Sequence, residues 1–208
     1  MVNKLRVMML ALLTTASALV FAADAESQLR AFVSSVSSAQ GEFKQVLIDE
    51  EGQQTDKVQS GQFLFERPGR FRWEVEKPYE QLTLSDGEEL YQYDPDLAQV
   101  TIRAATDVIG SSPAAILFGS GDLDEAFSLE SLSDKDGLQW LRATPKASDA
   151  GFTHVDLGFK NNQPEQIKLQ DSFGQITHIT LTGMQANPSW KGDEFRFEAP
   201  DDVDVVRM

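Results

Sequence analysis

The stretch GQFLFERPGRFRWEVEKP, residues 61–78, constrains the fold more than any other part of the chain. Phe63, Phe65 and Arg67 share one parity, and Gln62, Leu64 and Glu66 the other. A strand here therefore puts a guanidinium on the same face as two aromatic rings. Pro68-Gly69 turns the chain, and Phe71, Trp73 and Val75 then alternate with Arg72, Glu74 and Glu76 in a second strand with a clean apolar face. Two neighbouring strands thus offer one aromatic surface with Arg67 at its rim.

The period of two runs through most of the remaining chain. Phe43, Gln45 and Leu47 set against Lys44, Val46 and Ile48 read as a first strand, and 58–66 and 71–76 follow it. Further strands are predicted at 81–84, 90–93, 99–103, 127–132, 138–144, 153–159, 166–170 and 175–185, with 195–197 closing the series before an acidic tail at 201–204. With about eleven strands and no βαβ alternation, the sheet is expected to be antiparallel and strongly curved or barrel-like. Two helices interrupt it. In 26–38, Leu29, Phe32, Val33 and Val36 form an apolar stripe opposite Ser, Gln and Arg. The second begins with Ser112 at N-cap and Pro113 at N1, runs through 114–118 and stops at Gly119. A closed barrel fills with side chains or holds a small ligand, whereas an incompletely closed one leaves an apolar hollow that helices can cover.

Residues 1–23 read as a secretory leader. Lys4 and Arg6 precede the apolar run 7–13, and Val20-Phe21-Ala22 supplies the small residue for cleavage after Ala22 or Ala23. Thr14, Thr15 and Ser17 interrupt the apolar stretch, and Asp24 and Glu26 follow it, which argues against a retained anchor. The rest, 24–208, is expected to be a single soluble domain. There is no cysteine, so neither a disulfide nor a thiol-linked lipid anchor is available. Loss of Lys4 and Arg6 takes the net charge from −15 to −17, and such a surface repels nucleic acid and anionic headgroups.

Catalytic motifs are not found. His154 and His178 are the two histidines and fall on separate predicted strands, far from the close ligand pair a zinc site needs. Ser111 and Ser112 precede proline rather than forming a GxSxG elbow, and Asp86-Gly87 suits a hairpin turn. No catalytic residue, cofactor or metal is expected.

The strings FLFERPGRFRW, EQLTLSDGEELYQYDPDLAQVT and SPAAILF, in that order, resemble the outer-membrane lipoprotein carrier family, LolA, over essentially the whole mature chain. The resemblance implies an unclosed antiparallel β-barrel covered by a lid of short helices. It implies a periplasmic, monomeric chaperone that binds the acyl chains of lipoproteins released by an inner-membrane ABC transporter complex and delivers them to an outer-membrane receptor. It further implies that Arg67, from the family's Arg-Pro pair, latches the lid by bonding lid backbone near Val33 and at Leu117 and Phe118. Leu29, Val33, Ile116, Leu117 and Phe118 would then belong to the lid, and Phe63, Phe65, Phe71 and Trp73 to the lipid cavity. The residues by themselves leave alternatives open. Arg67 has Glu66, Glu74 and Glu76 as surface partners, the aromatics suit an ordinary core, and Phe71 suits the barrel mouth. The rival function is a periplasmic sensor or peptide-binding module on a related half barrel, using exposed strand edges.

Overall fold

The computed structural model describes residues 24–49, 52–105, 116–117, 123–148 and 150–208. The expected leader lies outside the described residues, as do Phe118 and the rest of the expected second helix apart from Ile116 and Leu117. In chain order the elements are α1 (Ala25–Ser35), β1 (Ser38–Ile48), β2 (Gln54–Glu66), β3 (Arg70–Lys77), β4 (Gln81–Asp86), β5 (Glu89–Asp94) and β6 (Gln99–Ala104). They continue as α2 (Leu123–Ala126), β7 (Phe127–Ser131), β8 (Gln139–Pro145), β9 (Phe152–Lys160), β10 (Gln163–Asp171), β11 (Ile176–Ala186) and β12 (Asp204–Arg207). Ile116 and Leu117 have helical backbone.

All twelve strands form one sheet in the order β12-β6-β5-β4-β3-β2-β1-β11-β10-β9-β8-β7. Its edges, β12 and β7, do not pair with each other, so the sheet is a large unclosed half barrel. The aromatic hairpin sits near its middle, where Phe63 lies opposite Trp73 and Phe65 opposite Phe71. Gly69 takes the positive φ of 72° that the connecting turn requires.

Three expectations need correction. The expected count of about eleven strands agrees with the twelve among the described residues, but the sheet is not wholly antiparallel, since β12 pairs in parallel with β6 from Asp204 opposite Gln99 to Arg207 opposite Ile102. A returning chain that must cross the sheet before pairing can add a parallel edge, which alternation in sequence does not reveal. Residues 195–197 are not a strand. Phe195 is buried, and the ring of Phe197 lies 5.3 Å from that of Tyr91 and 5.8 Å from that of Tyr93. This segment covers the convex side of β4 to β6, where Leu84, Val100 and Ile102 are also buried.

The third correction concerns α1, which ends at Ser35, with Ser38 already in β1. Asp24 caps its start by accepting from the Ser27 N–H at 2.7 Å, and the Val36 N–H closes its end on the Phe32 carbonyl. Asn187 draws the next residues out of the helix. Its Oδ1 accepts from the N–H groups of Ser37 and Ser38 at 2.8 and 3.2 Å, while its Nδ2 donates to the Ser35 carbonyl at 2.9 Å. Asn187 itself holds φ at 51°, a left-handed conformation that asparagine tolerates better than alanine. Asn187→Ala should therefore cost about 2 kcal/mol, read as a lower urea midpoint at unchanged slope.

Candidate functional site

The concave face is built from the inward residues of β1, β2, β3 and β8 to β11. Phe43, Phe63, Phe65, Phe71, Val75, Leu141, Val155, Leu157, Ile167 and Leu181 are all buried in one cluster. Trp73 is half-buried and stacks on Phe43, with ring centroids 3.8 Å apart, and on Phe63 at 6.1 Å. Phe71 is only 6% exposed, which places it in this cluster rather than free at the mouth.

The cover of this floor is helical. Leu29 and Phe32 of α1 are completely buried, Val36 nearly so, and Val33 packs half-buried against the cluster. Ile116 and Leu117 are buried in the same cluster. A stripe that would be exposed on an isolated helix thus finds its burial against the sheet.

Arg67 stands where floor and cover meet. Its guanidinium donates from Nη1 to the Val36 carbonyl and from Nη2 to the Leu117 carbonyl at 2.5 Å. The guanidinium carbon lies 5.2 Å from the centroid of Phe32 and 5.0 Å from that of Phe65, so one aromatic neighbour comes from the helix and one from the sheet. The Arg67 N–H is fixed as well, donating to the Ser37 carbonyl at 2.8 Å. Val36 closes α1, and its carbonyl is one of the groups a helix end leaves without an intrahelical partner. The resemblance implied an acceptor near Val33; in this structure the acceptor is the Val36 carbonyl, about one turn further on.

Surface carboxylates do not take this arginine. Glu66 pairs with Arg70, Glu74 pairs with Arg72, and Glu76 accepts from Gln62. Among the described residues Arg67 has no carboxylate partner, and its Nε is buried without a hydrogen bond. Burial pushes its pKa down to about 10, which leaves it charged at neutral pH. A permanent charge has been taken partly out of water for the sake of two carbonyls.

Other candidates fall outside this site. The Asp86 carboxylate accepts from the N–H groups of Glu88 and Glu89, both at 2.8 Å, and so closes the β4–β5 turn. His154 and His178 lie on β9 and β11, and burial lowers the pKa of each. No group of His, Asp and Glu that would suit a metal gathers among the described residues.

An unclosed sheet whose apolar face is covered by helical segments, with one arginine bonded to two of them, defines a half-barrel protein with a helical cover. The comparisons with known proteins narrow that class. Residues 34–198 match the model of the outer membrane lipoprotein carrier protein LolA. An outer-membrane lipoprotein carrier protein of Bordetella avium is 54% identical, with 98% of this chain and 97% of that protein covered. Its counterpart in Bordetella pertussis is 51% identical, with 93% and 91% covered. An uncharacterised conserved protein of Thermus thermophilus shares the fold with a TM-score of 0.55 at 18% identity, covering 88% of this chain and 99% of that one. The chain belongs to the LolA family of outer-membrane lipoprotein carriers, a family of carrier chaperones. That membership decides for the carrier over the sensor or peptide-binding reading.

Proposed function

We propose that this chain carries lipoproteins through the periplasm as a monomer, once a leader at 1–23 is removed and 24–208 remain as one domain. It takes them from an inner-membrane ABC transporter complex and yields them to an outer-membrane receptor. The acyl chains occupy the floor of Phe63, Phe65, Phe71 and Trp73 after the lid has moved off it. Leu29, Val33, Ile116, Leu117 and Phe118 belong to that lid, and Arg67 is its latch.

The physical need is plain. Each buried CH₂ is worth about 0.8 kcal/mol, so a protein bearing two or three acyl chains cannot leave a bilayer unassisted. A carrier must offer comparable apolar surface, then surrender it. Helix and acyl chain compete for one floor, and the floor is never left open to water.

The latch rests on one observation, the pair of hydrogen bonds by which Arg67 reaches two separate helical segments at once. Bonds to a charged group contribute about 1.5–3 kcal/mol each, enough to favour closure and little enough to permit opening. Arg67→Lys should retain only part of the transfer rate, because a point ammonium does not span both carbonyls. Full transfer by the lysine variant would show that charge alone suffices. For the carrier reading, the test is mass spectrometry of protein recovered from the periplasm. Co-purified triacylated lipoprotein is expected, and co-purified peptide would contradict it.

A further inference from the structure

The concave face changes character at β4. Residues directly opposite one another in a ladder share a face, and the row that begins at Trp73 continues through Thr83 on β4, Gln92 on β5 and Thr101 on β6. The next row runs from Val75 to Gln81, whose Nε2 donates to Asp94 Oδ2 at 3.2 Å, and Asp94 lies opposite Gln99. The apolar floor therefore passes, without a break in the sheet, into a strip of hydroxyls and amides. Among the described residues, α1 makes its main contacts with β7 to β10 rather than with β4 to β6. Gln92 is exposed, Thr83 and Thr101 are half-buried, and these side chains line a groove of about 240 Å³.

The chemistry of the strip is selective. A quarter of the chain's residues are charged, yet the middle of this strip is neutral, with Asp94 and Arg103 at its two ends. Neutral hydroxyls and carboxamides both donate and accept, which suits ester and amide groups and offers nothing to a bare hydrocarbon. A lipoprotein carries such groups at one place, the joint where acyl chains, glyceryl esters and the first peptide units meet.

We propose that Thr83, Gln92 and Thr101 form the subsite for this polar joint, holding its esters and first peptide amides beside Trp73 while the acyl chains lie across β1 to β3 and β8 to β11. The assignment rests on the reading that acyl chains occupy the concave floor. The subsite distinguishes a lipoprotein from a free fatty acid, which has chains but no peptide, and it orients the cargo so that its protein part leaves along β4 to β6.

Two probes separate the two readings: a fluorescent fatty acid, and a triacylated cysteinyl lipopeptide. The full mature chain is compared with Gln92→Leu, an exposed change that spares packing, and with Thr83→Val, Gln92→Leu and Thr101→Val combined. The combined variant should bind the lipopeptide about tenfold more weakly, as expected for a few neutral hydrogen bonds, and the fatty acid unchanged. Gln92→Leu should show part of the same selective loss. Equal lipopeptide binding by wild type and combined variant overturns the subsite and leaves the acyl floor standing. An equal loss for both probes at unaltered melting temperature also overturns it, because the strip would then serve the chains. A wild type that takes neither probe contradicts the acyl floor itself.

Discussion

Arg67→Leu should fold as the wild type does, open its lid about 10- to 100-fold more often, and deliver lipoprotein more slowly. The leucine still fills space between Phe32 and Phe65, where the guanidinium lies 5.2 and 5.0 Å from the ring centroids. What disappears is the pair of bonds to the Val36 and Leu117 carbonyls. Against that loss stands the relief of no longer burying a charge, whose cost is visible in the lowered Arg67 pKa. A net weakening of closure by about 1.5–3 kcal/mol follows, which converts to the stated change in open population. A lid that opens more often raises the apparent affinity for acyl chains, since the competent state is more populated. It also reseats less forcefully, so cargo is surrendered late. Hydrogen exchange of the amides at 29–36 reads the opening, and the transfer rate to outer membranes reads its consequence. A variant that hands over lipoprotein at the unaltered rate removes Arg67 from the mechanism.

The second large effect is on stability. An added Cβ at Gly61 would lie 1.8 Å from the Glu74 carbonyl oxygen and 2.8 Å from its carbon. Both are backbone atoms of the adjoining strand, and no rotamer change relieves the contact. The β2–β3 register already shifts between Ser60 and Gly61, so the strands approach here only because the side chain is missing. Gly61→Ala should cost about 3 kcal/mol or more and lower acyl binding too, since the same pairing sets Phe63 opposite Trp73. Gly52→Ala is the control. It carries a positive φ of 77° but meets nothing within 4 Å, so only the local conformational cost of about 1 kcal/mol applies. Urea midpoints for the two variants separate steric exclusion from backbone preference, and similar midpoints would contradict the close approach at Gly61.

Much of this architecture could be read from residue order, for reasons that differ by element. The alternation through Phe63, Phe65, Phe71 and Trp73 survives in β2 and β3 because a two-residue period and a tight turn are local properties. The stripe of Leu29, Phe32 and Val36 survives for the same reason, with both Leu29 and Phe32 fully buried. Arg67 attracted notice as a charge on an aromatic face, and it lies against Phe65 as that parity requires. Its acceptors were harder to read. Which carbonyl a side chain reaches depends on where α1 ends, and that end is set by Asn187, 150 residues away from Ser37. The same limit hid β12, whose few residues sit in an acidic run that resembles a solvated tail until Val205 meets Val100. The polar strip on β4 to β6 carries no sequence motif, and its shared face with Trp73 follows only from the strand order.

Displacement of the cover by cargo is open to direct measurement. The natural chain has no cysteine, so cysteines introduced at the exposed positions Ser35 and Lys160 give two unique sites for spin labels at the cover and on β9. Their separation should lengthen when lipoprotein is loaded and return when it is released. An unchanged separation at full loading would mean that the acyl chains and α1 do not compete for one face.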